Sequence, residues 1–424
     1  MKLHLKNIGK IEDATVEIKG ITVIGGENNT GKSTIGKSLF SIFNSFYEIQ
    51  QQIQKERFLS VRNVLQLIYR NLYYYDMERI KDINDFSNEI LSKTEEYKKM
   101  PESLKEAILS MFDFTSESKQ VLLENMNIDD IISRIINILN ISDEDIFHSV
   151  INKKLNAEFN GQLLNIYAKP EGSISLCVRN EELSVKVLED SISVKGIDYS
   201  LHTEAIYIDD PFVLDDIGFA RIGRRIIYTD HREQLINKLL SESDNTSVVD
   251  EIVVENKFDK MYNKLTSVCD GNIVQQKNGR LAYQTRNSDR TLNIKNLSTG
   301  LKTFVILKTL LTNGAIESNG TIILDEPEIH LHPEWQLLFA EIIVLLNKEF
   351  GVNILLNTHS PYFLRAIQVY SAKYETSDVC SYYMSEICQT GKICVTDVTN
   401  NVDKIFEKLS RPLQKLEDER WNFD

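Results

Sequence analysis

Alternating apolar and polar residues open the chain. KLHLKNI and ATVEIKG carry the two-residue period of half-buried strands, and ITVIGG is a short apolar run that stops on two glycines. A helix is expected from about Ser33. From Ile49 to about Asn156 the pattern changes to helix formers with three- and four-residue apolar spacing, as in SLKEAILSMF and NIDDIISRIINILNI. Strand patterns return between Phe159 and Ile208 as LLNIYAK, SISLCVRN, LSVKVLE, SISVKG and EAIYID, parted by Gly, Asn and Asp turns. The stretch Pro211 to Leu265 reads mainly as helix, including HREQLINKLLSE, and GNIVQQKNGRLAYQTR reads as a hairpin turning at Asn-Gly. The last third alternates helix and strand: Val305 to Leu311, TIILDE, WQLLFAEIIVLLNKEF, NILLNTHS and a charged helix near Val402 to Trp421.

That order predicts an α/β fold, with a mixed N-terminal sheet, a mostly parallel core sheet flanked by helices, and a helical insertion. Five segments are expected: 1–48 as an N-terminal lobe, 49–157 as the insertion, 158–210 as a β-rich continuation, 211–290 as a helical and hairpin subdomain, and 291–424 as a C-terminal lobe. The 424 residues, 42% hydrophobic and 26% charged, can bury a large core. A net charge of −14 argues against a surface coated in nucleic acid, although a local basic groove is compatible with it. The five cysteines, Cys177, Cys269, Cys380, Cys388 and Cys394, form no C-x-x-C pair, so reduced thiols in a cytoplasm are expected. No run approaches the roughly 20 apolar residues of a membrane span, which excludes membrane transport by this chain alone.

Against this background three motifs carry chemistry. GENNTGKST, Gly26 to Thr34, satisfies G-x-x-x-x-G-K-[ST] directly after a strand and at the start of a helix. Its glycines let the backbone curl round a phosphate, Lys32 reaches the terminal phosphates, and the Ser33 hydroxyl can ligate Mg2+. In TIILDEPEIHLHP an apolar strand delivers Asp325 to the carboxyl edge of the sheet, where it can hold the metal shell, and the next residue, Glu326, can polarise an attacking water. NILLNTHSP ends another buried strand at Thr358 and His359, whose imidazole can sense a γ-phosphate. The polar turn in KNLSTGLKTF, Lys295 to Phe304, opens a helix and so presents free N–H groups to an anion.

In this order the motifs resemble an ABC-type ATPase head. More narrowly, GENNTGKST, NLSTGLKTF, LDEPEIHLHPEWQ and NTHSPYFL look like the ATPase domain of the OLD (overcoming lysogenization defect) family and its RecF-like and Septu-type relatives, with Glu328 and His332 in the more specific DEPExxLHP form. The resemblance covers the chain to about Phe46 and from about Ile294 to Ile367. It implies nucleotide contact through Gly26, Asn28, Asn29, Thr30, Gly31, Lys32, Ser33 and Thr34, and metal contact through Ser33 and Asp325. Glu326 is implied as the catalytic carboxylate beside Lys32, His359 as the switch, and Ser298 with Gly300 as signature residues. In an ABC-type arrangement the signature turn faces the nucleotide of a second copy, which implies a homodimer sandwiching ATP and Mg2+, or a higher assembly of such dimers. The glutamine that such ATPases place between the two blocks is not identifiable; AIYIDDPF holds its position, with Asp209 or Asp210 as stand-ins.

Other clusters read as bland. His330 and His332 lack a third metal ligand and read as a structural loop; Asp209, Asp210, Asp215 and Asp216 read as a solvated loop; Arg221, Arg224, Arg225 and Arg232 read as a solvated helical face. About 60 residues follow His359 and contain no Glu with Asp-x-Asp pair of the kind OLD nucleases carry, so no nuclease domain is expected in this sequence. The insertion is too short and irregular for a coiled coil of SMC type. The expected function is therefore an ATPase subunit of a multi-protein bacterial system in the cytoplasm, set in anti-phage defence, slow in turnover, and controlling a separate effector such as a nuclease or toxin. The insertion and the Arg221 to Arg232 region are the candidate effector contacts. The alternatives are a RecF-like or SMC-like repair ATPase with nucleic acid as its direct partner, and a slow nucleotide-gated scaffold.

Overall fold

The structure is a computed structural model, and it describes residues 1–72, 82–110, 128–166, 171–188, 191–217, 230–241, 261–276, 281–286, 288, 290–388 and 391–421. The chain forms two compact units, one of Met1–Tyr47 with Asn152–Asp424 and one of Glu48–Ile151.

Among the described residues, three sheets build the larger unit. Strands β1 (Lys2–Ile8), β2 (Ile11–Glu17), β4 (Glu171–Val178), β5 (Glu181–Leu188) and β6 (Ser191–Lys195) form an antiparallel sheet in the order β2-β1-β4-β5-β6. One face of it is dry, and the alternation in the sequence follows from that: Leu3, Leu5, Ile174, Leu176, Leu183 and Val185 are buried. The core sheet runs β14-β13-β3-β12-β11-β7. It comprises β3 (Ile21–Gly26), β7 (Ala205–Ile208), β11 (Thr321–Asp325), β12 (Asn353–Thr358), β13 (Cys380–Ile387) and β14 (Ile393–Asp397). All its pairings are parallel except that of β13 with β14. Both faces of a parallel sheet are covered, so β3, β7 and β12 read as continuous apolar runs. The third sheet holds β8 (Asn272–Gln275), β9 (Leu281–Gln284) and β10 (Thr291–Asn293). Antiparallel pairing of Gln275 with Leu281 makes β8 and β9 the expected hairpin, while its Asn-Gly turn lies outside the described residues.

Helices α1 (Lys32–Ser45), α2 (Asp230–Leu240), α3 (Thr299–Thr312), α4 (Pro333–Phe350), α5 (Pro361–Lys373) and α6 (Asp403–Trp421) complete the unit's longer elements. One continuous core joins β3, β11 and β12 to Phe304, Leu310, Phe339 and Phe363. Val213, Leu235, Leu239, Met261, Leu265 and Tyr283 enter the same core, so the described part of 211–290 packs with the head. In the smaller unit, the helix Ile128–Asn140 buries Ile128, Ile131, Ile132, Ile135 and Leu139 along one stripe. The Arg57 guanidinium donates to the carbonyls of Ile138 and Leu139 at 3.0 and 3.1 Å, placing a cation at the negative end of that helix.

Four sequence-based expectations change. LLNIYAK was expected as a strand, but in its described part Leu164 makes only an isolated bridge to Ile8. The thiols were expected reduced, but Cys388 and Cys394 form a disulfide, leaving Cys177, Cys269 and Cys380 free. The β13–β14 hairpin sets Glu386 opposite Cys394 and bonds the Cys388 N–H to Lys392 O, a proximity that linear spacing does not reveal. The aspartates 209, 210, 215 and 216 and Arg232 are only partly solvated, and they are paired: Arg232 with Asp209, Asp210 and Asp216, Asp209 also with His231, and Asp215 with Lys302, as described below. Arg221, Arg224 and Arg225 lie outside the described residues. Among the described residues, no helix is long and apolar enough to cross a membrane.

Candidate active site

The register of the core sheet aligns the carboxyl ends of four strands. Thr358 lies opposite Gly25, Asp325 opposite Asn357, and Leu324 opposite Ile208. The loops after β3, β7, β11 and β12 therefore leave from one edge, the position where open α/β sheets bind ligands.

Fully buried β3 ends at Gly26, and Gly31 enters α1 with φ 84°, a left-handed conformation that favours glycine. A Cβ on Gly26 would lie 2.0 Å from the Ser385 carbonyl oxygen, so the first motif glycine is required by the close approach of β13. The first bond of α1 runs from Ile35 N–H to Gly31 O at 3.1 Å. The N–H groups of Lys32, Ser33 and Thr34 are thus left without intrahelical acceptors at the positive end of the helix. Lys32 is buried and its ammonium donates to Gly26 O at 3.1 Å and Glu27 O at 2.8 Å. Over this loop lies a cavity of about 430 Å³, lined by Asn29 to Thr34, by Lys10 and Lys37, and by the carboxylate Glu326. Asn28 and Gly26 are not among its lining residues.

At the end of β11, both oxygens of Asp325 accept a hydrogen bond, Oδ2 from the Tyr207 hydroxyl at 2.8 Å and Oδ1 from the Asn357 amide at 2.9 Å. The carboxylate is oriented while lone pairs remain. Glu326 follows with φ 50°, an uncommon conformation for a side chain of its size, held by its N–H bond to Asn357 O at 2.9 Å. Its Oε1 stands 3.3 Å from His359 Nδ1 and 3.6 Å from Lys32 Nζ. The close His359 ring, helped by the charge of Lys32, holds the Glu326 carboxyl below its ordinary pKa, and the same contact raises that of His359.

Glu328 explains how His359 is held. Its buried Oε1 accepts from the Thr358 hydroxyl and from the His359 N–H at 3.2 Å, and burial pushes its carboxyl pKa up. Gln336 ties the next turns together, donating to Glu328 O and accepting from the Ser360 hydroxyl at 3.1 Å. Glu328 thus fixes the backbone that carries the His359 ring.

The Ser298–Gly300 turn, the candidate signature turn, lies apart from this cavity. Ser298 is the N-cap residue of α3 but makes no side-chain cap bond, and a Cβ on Gly300 would meet His330 O at 2.9 Å. Ser298, Thr299 and Gly300 line a separate open space of about 470 Å³ with His330, His332 and Trp335. It shares no lining residue with the P-loop cavity. The loop histidines therefore flank the signature turn.

Sequence reasoning missed a buried polar group beneath the site. Asp209 does not stand free for a metal; His231 lies between its Oδ2 at 3.1 Å and Glu158 Oε1 at 2.7 Å. Burial opposes charge on the His231 ring, but the adjacent Asp209 and Glu158 carboxylates outweigh that and lift its pKa from 6.5 to about 9. No local pattern flags this group, because Glu158, Asp209 and His231 come from three separate segments of the chain. A group whose folded pKa is raised adds stability that is complete below its unfolded value, here 6.5, and is lost as pH climbs through about 9. Thermal melting is expected to fall between about pH 7 and pH 9.5, and to fall less steeply in His231→Gln. An identical slope in the variant would assign the loss to other groups.

The residues suit a magnesium nucleotide. Among the described residues no group of three or more His, Cys, Asp or Glu could cage a metal by itself. A hydroxyl (Ser33) and a carboxylate (Asp325) are a hard oxygen set of the kind that holds Mg2+ together with phosphate oxygens.

Residues 1–364 match the family model described as AAA ATPase domain. The chain is 23% identical over 405 residues to "Retron Vc95 probable ATPase" of Vibrio cholerae serotype O1 biovar El Tor, covering 86% of this chain and 72% of that protein. It is 32% identical over 84 residues to an OLD nuclease of Thermus scotoductus, a match of 20% of this chain and 16% of the nuclease. Solved structures that resemble it include an SMC head domain from Thermotoga maritima, with 12% identity, coverage of 94% and 98% of the two chains, and TM-score 0.38. Another is an Smc head domain with an extended coiled coil bound to the C-terminal domain of ScpA, derived from Pyrococcus furiosus, with 10% identity, coverage of 97% and 99%, and TM-score 0.42.

Proposed function

The chain belongs to the AAA ATPase domain family, and from that premise we propose that it binds and slowly hydrolyses ATP with Mg2+, closes as a homodimer on the nucleotide, and through that closure controls a separate effector. The observation that carries the proposal is the placement of Glu326 Oε1 within 3.6 Å of Lys32 Nζ and 3.3 Å of His359 Nδ1 at the shared strand edge.

In this reading the N–H groups of Lys32, Ser33 and Thr34 take the phosphates, and Lys32 turns from the Gly26 and Glu27 carbonyls toward them. Ser33 and Asp325 would hold Mg2+, which when bound draws charge from the bridging phosphate oxygens. Glu326, whose carboxyl pKa is held down by His359 and Lys32, orients and polarises the water, and His359 donates to the γ-phosphate. Closure by a second copy is supported by the separation of the signature turn from the P-loop cavity of its own chain. A setting in bacterial anti-phage defence rests on the resemblance to OLD-type and Septu-type ATPases, and the relative named for a retron agrees with it in being an ATPase. The Glu48–Ile151 unit is the proposed effector contact. Arg232, occupied by three aspartates, is not.

The purified chain is expected to release phosphate from ATP while leaving added DNA and RNA intact over hours. If it degraded either one, and Glu326→Gln abolished that degradation, the separate effector would have to be abandoned.

A further inference from the structure

The β13–β14 hairpin flanks the phosphate-binding loop, and the Cys388–Cys394 disulfide closes that hairpin. Parallel pairing of β13 with β3 ends at Ser385 opposite Gly26. There the Ser385 hydroxyl donates to the Thr30 carbonyl at 2.6 Å, a buried bond into the loop, and the Ser385 carbonyl is the oxygen that leaves no room for a Cβ on Gly26. On the second strand the buried Ile393 side chain lies 3.6 Å from where a Cβ on Gly31 would stand. Lys408 of α6 adds a further tie, reaching Glu386 of β13 at 3.1 Å and Glu27 of the loop at 3.6 Å. The disulfide sits three residues beyond Ser385 and one beyond Ile393, so it brackets both contacts with the loop. Cys388 and Cys394 are half-buried, and Ile387, Gly391 and Lys392 beside them are exposed. The cross-link is therefore open to solvent, whereas the free thiols of Cys269 and Cys380 are buried.

A disulfide acts mainly by limiting the open states of the segment it closes, and one within reach of solvent exchanges with external thiols. We propose that Cys388 and Cys394 form a reversible redox modification site, whose disulfide holds the phosphate-binding loop in shape for nucleotide and whose dithiol releases it. Reduction takes a dithiol of the thioredoxin class. Its first thiolate attacks one protein sulfur, the Cys388–Cys394 bond breaks, and a mixed disulfide forms as the other cysteine leaves as thiolate. The second thiolate of the reductant then displaces the remaining cysteine, so two electrons pass to the protein, both cysteines take up protons and the reductant ends as a disulfide. Reoxidation takes a hydroperoxide. One protein thiolate attacks the peroxide oxygen, giving a sulfenic acid and releasing water or an alcohol, and the second thiol displaces water to restore the disulfide. The effect on nucleotide affinity rests on the reading of the cavity as a nucleotide site; the effect on the loop does not.

The test compares the full chain in its oxidised form and after reduction with dithiothreitol, each form identified by its mass, and then returns the reduced form with hydrogen peroxide. Without nucleotide, amide hydrogen exchange of Glu27 to Ser33 should be about fivefold faster in the reduced form, and a fluorescent ATP analogue with Mg2+ should bind it about threefold more weakly. Peroxide should restore both values. Cys388→Ser combined with Cys394→Ser should fold, show the reduced-form values and respond to neither reagent. Equal loop exchange in the two forms of the parent would overturn the switch. So would exchange that differs while affinity does not, or a double variant that still responds. A parent that binds no nucleotide in either form would overturn the active-site reading instead, and loop exchange alone would then decide whether the disulfide holds the loop.

Discussion

Glu326→Gln is expected to lower phosphate release by about 10²- to 10³-fold while leaving ATP bound as tightly as before or more so. The amide matches the carboxylate in shape, so the positive-φ backbone at 326 and the Asn357 hydrogen bond should persist. What disappears is the negative charge between His359 and Lys32, at 3.3 and 3.6 Å, and with it the group that polarises the water. Lys32 and His359 then face the phosphates without a competing anion. ATP-held dimers should accumulate. Phosphate release and sedimentation, measured on the same samples, separate three outcomes. Loss of turnover with trapped dimers fits the catalytic assignment. Turnover within about threefold of the parent would remove Glu326 from catalysis. Dimers held by ATP in both proteins, with no phosphate release from either, would leave only a nucleotide-gated scaffold.

Ser298→Arg should give the opposite profile: nucleotide binding to the isolated chain within about twofold of the parent, with hydrolysis reduced by about 10²-fold or more. Its physical basis is local. Because the Ser298 hydroxyl makes no cap bond to α3, replacing it costs the helix little. An arginine there would enter the open space between Gly300, His330, His332 and Trp335, which is separate from the P-loop cavity. It would therefore obstruct a second copy and spare the chain's own nucleotide. Fluorescent-nucleotide titration and a turnover assay read the two effects independently, and loss of binding in the titration would sink the assignment of this turn to the partner's phosphate.

The class of the fold and the residues of the candidate site were legible in local patterns. A P-loop is written in consecutive residues because one strand, one turn and one helix end make it, and Asp325, Glu326 and His359 are legible because each ends or directly follows an apolar strand. The alternation in β1, β4 and β5 and the unbroken apolar runs of β3 and β12 likewise report which faces meet water. Charge and cysteine arithmetic served less well. Four aspartates and Arg232 look like solvent-facing residues in one dimension, yet they pair with one another and with Lys302 and His231 across as many as 87 positions of sequence.

By itself, then, the sequence determined an α/β head with the residues of a candidate nucleotide site, since periodicity and turn chemistry act over a few residues. Only the tertiary structure decided that Tyr207 holds Asp325, that Glu328 holds His359, and that Lys302 anchors the signature helix to Asp215. Those contacts depend on the parallel register of the core sheet and on long crossovers that bring distant segments to one edge, and no local pattern encodes that register.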